Sequence, residues 1–446
     1  MGHGAFVSLG RLTDTYGTTI PLMSAALPSY EEAAAVAAGR SAELARRPET
    51  ERVELEEAGG RILAETLHAD RDQPPFPRST RDGFACRAIE ASTHKLLKVA
   101  GSIQAGQPPA GPLPANSAWE IMTGASVPAG ADAVAMLEHV ERTGSASGKI
   151  RLLAPRTLEP GENIVLQGAE ARAGDKILSA GLRIGPQHIA LAAACGHAAV
   201  RVFRRPHVAI LTTGDELVPV TSVPGPGKIR NSNGIMLAAL VAEAGGLPWL
   251  LPTARDSDNA LDEALHAGVA ADLLLITGGV SAGKFDLVEP ALARIGARCH
   301  FTGVRIQPGK PLVFGEVVQS VTTRAGQTKQ KILPFFGLPG NPISSACTFL
   351  LFGTQILAAL SGSEGSRPRF ALAQLAKEIK GKPGLTRFVP SFCNFNPRDG
   401  KPPEVRAVPS EGSGDLASFS RSNSFLVVPE GTDRLKAGAT VRILLF

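Results

Sequence analysis

The segment Leu273-Leu274-Leu275-Ile276-Thr277-Gly278-Gly279-Val280-Ser281-Ala282-Gly283-Lys284-Phe285-Asp286 constrains this chain more than any other. Its apolar run reads as a buried strand. Glycines and a serine break that run, and an amphipathic stretch from Leu287 to Ile295 follows. Open α/β sheets build anion sites from strand, glycine-rich turn and helix in that order. Backbone N–H groups can point at an oxyanion where no side chain intervenes.

The same design recurs from residue 206 to 362. Strands are expected at His207–Leu211, Trp249–Leu251, Leu273–Ile276, Leu312–Phe314 and Ile332–Phe336. Helices are expected at Ile235–Ala244, Asn259–Ala267, Leu287–Ile295 and Ser344–Leu360. Alternating elements predict a mostly parallel, doubly wound sheet. The polar stretch Gln319–Lys331 reads as a hairpin tip. Proline, glycine and short strand-like runs over 70–172 predict a β-rich domain. Residues 28–69 and 173–205 read as a discontinuous helical domain, including a second helix with Leu55, Ala58, Ile62 and Leu63 on one stripe. Residues 366–446 read as a small β-barrel or sandwich after a Gly/Ser/Pro/Arg linker. Residues 1–27 read as a disordered extension.

A length of 446 residues fits roughly two to four domains. Aromatic residues make up 5%, too few for stacked single-stranded nucleic-acid platforms, and no block of like charge suggests a DNA-binding stripe. The five cysteines, Cys86, Cys195, Cys299, Cys347 and Cys393, share no C-x-x-C spacing, which fits a reducing cytoplasm better than a disulfide framework or zinc site. The first residues carry no charged start followed by an apolar run, so no signal peptide is expected. The longest apolar stretch carries Ser, Thr and Gln and reads as a core helix, with no membrane span expected.

Four turns fall where strands of the α/β pattern end: Thr212-Thr213-Gly214-Asp215-Glu216, Thr277-Gly278-Gly279-Val280-Ser281, Pro308-Gly309-Lys310-Pro311 and Gly337-Leu338-Pro339-Gly340-Asn341-Pro342. Ligands of open parallel sheets bind beyond the carboxyl ends of strands, so these turns are expected to share one crevice. Glycine N–H groups and Lys310 suit phosphate, and Asp215, Glu216, Asp256 and Asp286 suit Mg²⁺. Asp215 and Asp256 fit helix N-caps equally well. Asp82-Gly83, Met122-Thr123-Gly124 and Gly412-Ser413-Gly414 read by composition as ordinary turns. No Walker A motif is present, which sets the site apart from P-loop NTPases.

Taken in order, these strings resemble the molybdopterin molybdenumtransferases, the bacterial MoeA proteins and the related gephyrin E domain, from about Tyr30 to Phe446. The matching elements are Ser79 to Ala85, Ile121 to Pro128, Thr213 to Leu217, Thr277 to Asp286, Pro308 to Pro311, Gly337 to Pro342 and Gly412 to Gly414. The resemblance implies a homodimer of multidomain α/β plus β subunits, with a β-rich second domain, a central molybdopterin-binding domain and a C-terminal β-barrel. It implies Mg²⁺-dependent insertion of molybdate into adenylylated molybdopterin with release of AMP, downstream of a molybdopterin adenylyltransferase. By motif match, Asp82, Thr123, Glu216, Asp256, Asp286 and Lys310 are the catalytic candidates, with Glu216, Asp256 and Asp286 around the metal. Thr213, Gly214, Asp215, Gly278, Gly279, Ser281, Gly283, Pro308, Gly309, Gly340, Asn341, Pro342 and Ser413 are the candidates for holding the pterin. Some members carry lysines where this chain has Gln307 and Gly303, and an arginine where it has Pro390. Arg305 and Arg387 lie nearby, and substitution by arginines from shifted positions is expected. A tungstate-preferring insertase and a non-catalytic carrier of molybdopterin are the alternative readings.

Overall fold

The computed structural model describes residues 26–45, 48–92, 95–108, 111–143, 148–153, 156–279, 288–322, 328–363, 368–396 and 400–446. The disordered extension expected over 1–27 lies outside them except for its last two residues. The chain divides into two compact units, residues 50–203 and the remainder.

The larger unit holds a six-stranded sheet. Its strands are β1 (His207–Thr212), β2 (Leu247–Leu250), β3 (Leu273–Thr277), β4 (Ala297–Thr302), β5 (Val313–Thr322) and β6 (Thr328–Leu338), in the spatial order β2-β1-β3-β6-β5-β4. The first four in that order run parallel. β5 and β6 form an antiparallel hairpin whose strands take in 319–322 and 328–331, both ends of the stretch expected as a polar tip, and β4, which no pattern announced, pairs antiparallel with β5. The sheet is therefore mixed, with a parallel half that carries the glycine turns.

Alternation along the strands sends side chains to two cores. Val208, Ile210, Leu273, Leu275 and Phe336 face α1 (Tyr30–Leu44), α2 (Ser232–Glu243) and the long helix α5 (Pro342–Leu360). Ala209, Leu211, Leu274, Ile276 and Phe335 face α3 (Asp258–Gly268) and α4 (Val288–Arg294). Helices on both faces bear out the doubly wound expectation. α5 is long and apolar enough to cross a bilayer, yet 78% of its apolar window is buried within the protein, as a core helix requires.

Five strands close the C-terminal region into a barrel: β7 (Phe370–Leu375), β8 (Thr386–Asn394), β9 (Glu404–Ala407), β10 (Ser424–Val428) and β11 (Thr440–Leu445). The ring runs β8-β9-β7-β11-β10 and returns to β8. The short strand Ile306–Gln307 adds to β8 in parallel, which sets the Pro308 turn against the barrel wall. Phe388, Phe425 and Leu444 of the barrel share one core with Tyr30, Phe352 and Ile356, so barrel and α/β layers are joined by packing as well as by the 361–369 segment.

Two helical expectations need correction. The stripe Leu55–Leu63 forms only a 3₁₀ turn at Leu55–Glu57. Gly59-Gly60 interrupts the helix, and Ile62 and Leu63 bridge to Arg183 and Val202 instead. α1 packs Tyr30, Ala33, Ala37 and Leu44 on the α/β core, so residues 28–69 do not stay together as one helical domain. In the 50–203 unit, Thr50–Glu54 pairs antiparallel with Ala199–Phe203. A six-stranded sheet there runs in the order Ala133–Met136, Gly83–Cys86, Ser117–Ile121, Leu97–Ile103, Lys149–Leu152 and Val140–Thr143, consistent with the β-rich reading.

Candidate functional site

The turns after β1, β2, β3 and β6 meet at the carboxyl edge of the parallel strands. Thr213 N–H donates to the Thr277 carbonyl (3.0 Å), and Gly214 N–H donates to the Ala254 carbonyl (3.3 Å). Glycine permits this closeness. A Cβ on Gly278 would run into the Thr213 carbonyl.

Acids gather on one side of this floor. Asp215 N–H donates to an Asp256 carboxylate oxygen (3.4 Å), and Asp256 N–H donates to Asp215 (3.3 Å). The Glu216 carboxylate folds back over Gly214, where a Cβ would collide with both of its oxygens. The capping alternative falls away. Asp215 leads into the short strand Leu217–Val218, and α3 begins at Asp258 with Ser257 at its N-cap. Three exposed carboxylates on two adjoining loops are hard oxygen donors of the class Mg²⁺ takes. Among the described residues no three acidic, His or Cys side chains already converge at metal-ligating distance. Ser281, Gly283 and Asp286, the last an expected metal ligand, lie outside the described residues.

Cations gather on the other side. Pro308, Gly309 and Lys310 line a cleft of about 480 Å³ together with Asn341, Ser344, Lys382, Arg387, Ser410 and Ser413. The Ser413 carbonyl accepts the Ile343 N–H (3.1 Å), which brings the barrel loop onto the first turn of α5 beside Asn341 and Pro342. Three basic side chains around one opening with hydroxyls and backbone groups suit a small oxyanion.

Of the two positions where a lysine is replaced, Gly303 has a structural reason. Gly303 holds φ +146, and a Cβ there would press against Leu27 at 2.8 Å, so a lysine would be strained and crowded. Arg305 does not stand in, because its guanidinium bonds Glu430 (3.2 Å) and the Leu27 carbonyl (2.6 Å). Arg387, by contrast, does line the cleft, and so does Lys382, which sequence reasoning missed. The only signal for Lys382 was the turn Lys380-Gly381-Lys382-Pro383-Gly384.

In the 50–203 unit, Asp82 and Thr123 are brought together across 41 residues. The Asp82 carboxylate accepts the Thr123 N–H (2.6 Å) and hydroxyl (2.8 Å). The backbone bond, then the hydroxyl bond, hold the Asp82 carboxyl below its ordinary value and keep it charged. Asn233 and Lys228 were also missed. Asn233 bridges Thr277 and Gly340, and the Lys228 ammonium donates to the Asp215 carbonyl (2.7 Å).

Comparison with known proteins agrees with this layout. Residues 28–196 match the MoeA N-terminal region (domain I and II), residues 209–359 a probable molybdopterin binding domain, and residues 372–446 the MoeA C-terminal region (domain IV). A molybdopterin molybdenumtransferase of Bacillus subtilis is 36% identical over 408 residues, covering 90% of each chain. One from Nostoc is 32% identical over 425 residues, covering 94% of each. The crystal structure of a molybdopterin biosynthesis moeA protein from Pyrococcus horikoshii OT3 superposes with a TM-score of 0.75 at 30% identity, covering 94% of this chain and 100% of that one.

Proposed function

The chain belongs to the MoeA family of molybdopterin molybdenumtransferases, enzymes of molybdenum cofactor biosynthesis, and from that premise we propose that it inserts molybdate into adenylylated molybdopterin, with Mg²⁺ required and AMP released. One observation carries this reading. The turn Pro339–Asn341 lies beside Gly278 of the glycine floor, which adjoins the acids Asp215, Glu216 and Asp256, and it also lines the cleft that holds Lys310, Lys382 and Arg387. A substrate pair made of a phosphoanhydride and a free oxyanion calls for such polarity.

In this reading the glycine floor Thr213–Gly214, Gly278–Gly279 and Gly340 receives the phosphate-bearing end of the pterin, since backbone can approach it closely. Glu216, Asp256 and Asp286 are the residues that would hold Mg²⁺. When bound, the ion supplies positive charge at the phosphate oxygens. Lys310, Lys382, Arg387 and the Ser413 hydroxyl bind molybdate and orient it, so that the two reactants meet without a further diffusional step. Fixed cations in a walled cleft also offset charge that develops during transfer. Asp82 and Thr123 act as a paired unit, with the threonine fixing the ionised carboxylate. The reading has the chain act as a cytoplasmic homodimer that receives substrate from a molybdopterin adenylyltransferase, without nucleic-acid or membrane partners. Five free cysteines, four of them buried, fit that compartment.

The test is AMP release from adenylylated molybdopterin in the presence of Mg²⁺ while molybdate or tungstate is titrated. Oxyanion-stimulated release with metal recovered on the pterin is expected, and the titration ranks the two anions. Glu216→Ala and Asp256→Ala should each lower turnover by at least about a hundredfold while the protein stays folded. Tight pterin binding with no stimulated release in the wild type would make the chain a carrier instead.

A further inference from the structure

We propose that Asn233 is a positioning residue that holds the turns Thr277–Gly279 and Pro339–Asn341 in register for the phosphate-bearing end of the substrate; this rests on the proposed function and deepens it. Asn233 is the second residue of α2. A helix start needs no such cross-link, because Asn231 already caps α2 by accepting the Gly234 N–H (3.0 Å). The Asn233 side chain leaves its own helix instead. Its Nδ2 donates to the Gly340 carbonyl (2.6 Å) and to Thr277 Oγ (3.1 Å). Thr277 Oγ donates onward to the Pro339 carbonyl (3.2 Å) and lies 3.2 Å from Ser345 Oγ, which also donates to Pro339. One amide thus ties the start of α2 to the ends of β3 and β6, residues 44 and 107 positions away.

The orientation of that amide is set by the Gly340 carbonyl, which only an N–H group can face. Its Oδ1 is then left buried with no hydrogen-bond partner among the described residues, and Thr213 Oγ is left in the same state. Thr213 Oγ borders Gly278 and Gly279, where a Cβ on either would lie within 3.0 Å of it. Two buried polar atoms without partners flank the same glycine turn. An apolar side chain in place of Thr213 would avoid that cost, and Asn233 bears it while making its two donations, so both atoms argue for a role at the crevice beyond packing. Asn233 supplies what a glycine turn lacks, a fixed anchor, and its anchor points are the two turns expected to receive phosphate.

Full-length Asn233→Ala and the isosteric Asn233→Asp test this. Binding of adenylylated molybdopterin is measured by quenching of its fluorescence, and backbone hydrogen exchange is read with and without that ligand. Both variants should raise the dissociation constant at least about tenfold. Exchange should quicken in peptides covering 277–279 and 339–341 together. A role confined to the start of α2 would quicken only 231–236 and leave binding unchanged, and that result overturns the inference. Wild-type binding by Asn233→Asp would do so as well, since a carboxylate cannot donate to Gly340; that variant also keeps the test valid if the alanine variant fails to fold. A wild-type protein that binds no adenylylated molybdopterin would instead remove the functional reading on which the inference rests.

Discussion

Single residues decide how this site departs from others with the same motifs. Cations that the 303–307 segment does not supply come from the loop and strand around Lys382 and Arg387. Lys382→Ala and Arg387→Ala should each raise the KM for molybdate by about tenfold with a smaller change in kcat, as steady-state AMP release would show. An unchanged KM in both would leave Lys310 and the backbone to hold the anion. Gly309 has φ +107, and a Cβ there would strike the Thr348 Cγ2 of α5. Gly309→Ala should therefore destabilise the fold by about 3 kcal/mol in urea unfolding, through backbone strain and overpacking. At Asp82 the larger cause of the lowered pKa is the Thr123 backbone bond, and the hydroxyl is the smaller. Thr123→Val should move the carboxyl only part of the way back toward 3.8, a shift that carboxyl NMR titration would detect.

At the scale of elements, α1 is the part whose place was not legible. Ser29 and Glu32 form a capping box that marks its start. Its partner depends on Tyr30, Ala33 and Ala37 finding α5, which lies some three hundred residues further along the chain. Arg40 then reaches Glu316 of β5 (2.6 Å), beside His300 of β4 (3.4 Å). Burial alone would raise the Glu316 carboxyl, but the nearby His300 ring and the Arg40 guanidinium outweigh it and hold the group below its ordinary 4.5. A depressed carboxyl stabilises the fold above its unfolded pKa, and the gain is lost as pH falls through the folded value. Protection of α1 in hydrogen exchange should accordingly weaken as pH drops below about 4.5, and Glu316→Gln should show the weaker protection already at neutral pH. Equal protection in that variant at all pH values would assign the docking of α1 to its apolar face alone.

For the whole molecule, the 50–203 unit and the C-terminal barrel should differ in independence. Residues 50–203 begin and end on paired strands, so an excised fragment has its termini together and its own cores around Phe84 and Leu63. It should unfold cooperatively by itself in circular dichroism. The barrel should not, because Phe388 and Phe425 complete a core with Tyr30 and Phe352. The same core includes Phe349, and Phe349→Ala should cost about 3 to 5 kcal/mol of stability. What the residues determined by themselves was local: buried strands ending in glycine turns, the crevice those turns imply, and the short strands of the C-terminal barrel. Apolar alternation and turn chemistry act over a few residues, so they show in a single stretch of chain. Tertiary packing alone decided that α1 leaves its sequence neighbours, that Leu27 fills the space beside Gly303, and that Lys382 joins the basic cleft while Arg305 does not. Those outcomes depend on surfaces assembled from distant segments, whose complementarity is a property of the packed shape and is carried by no local pattern.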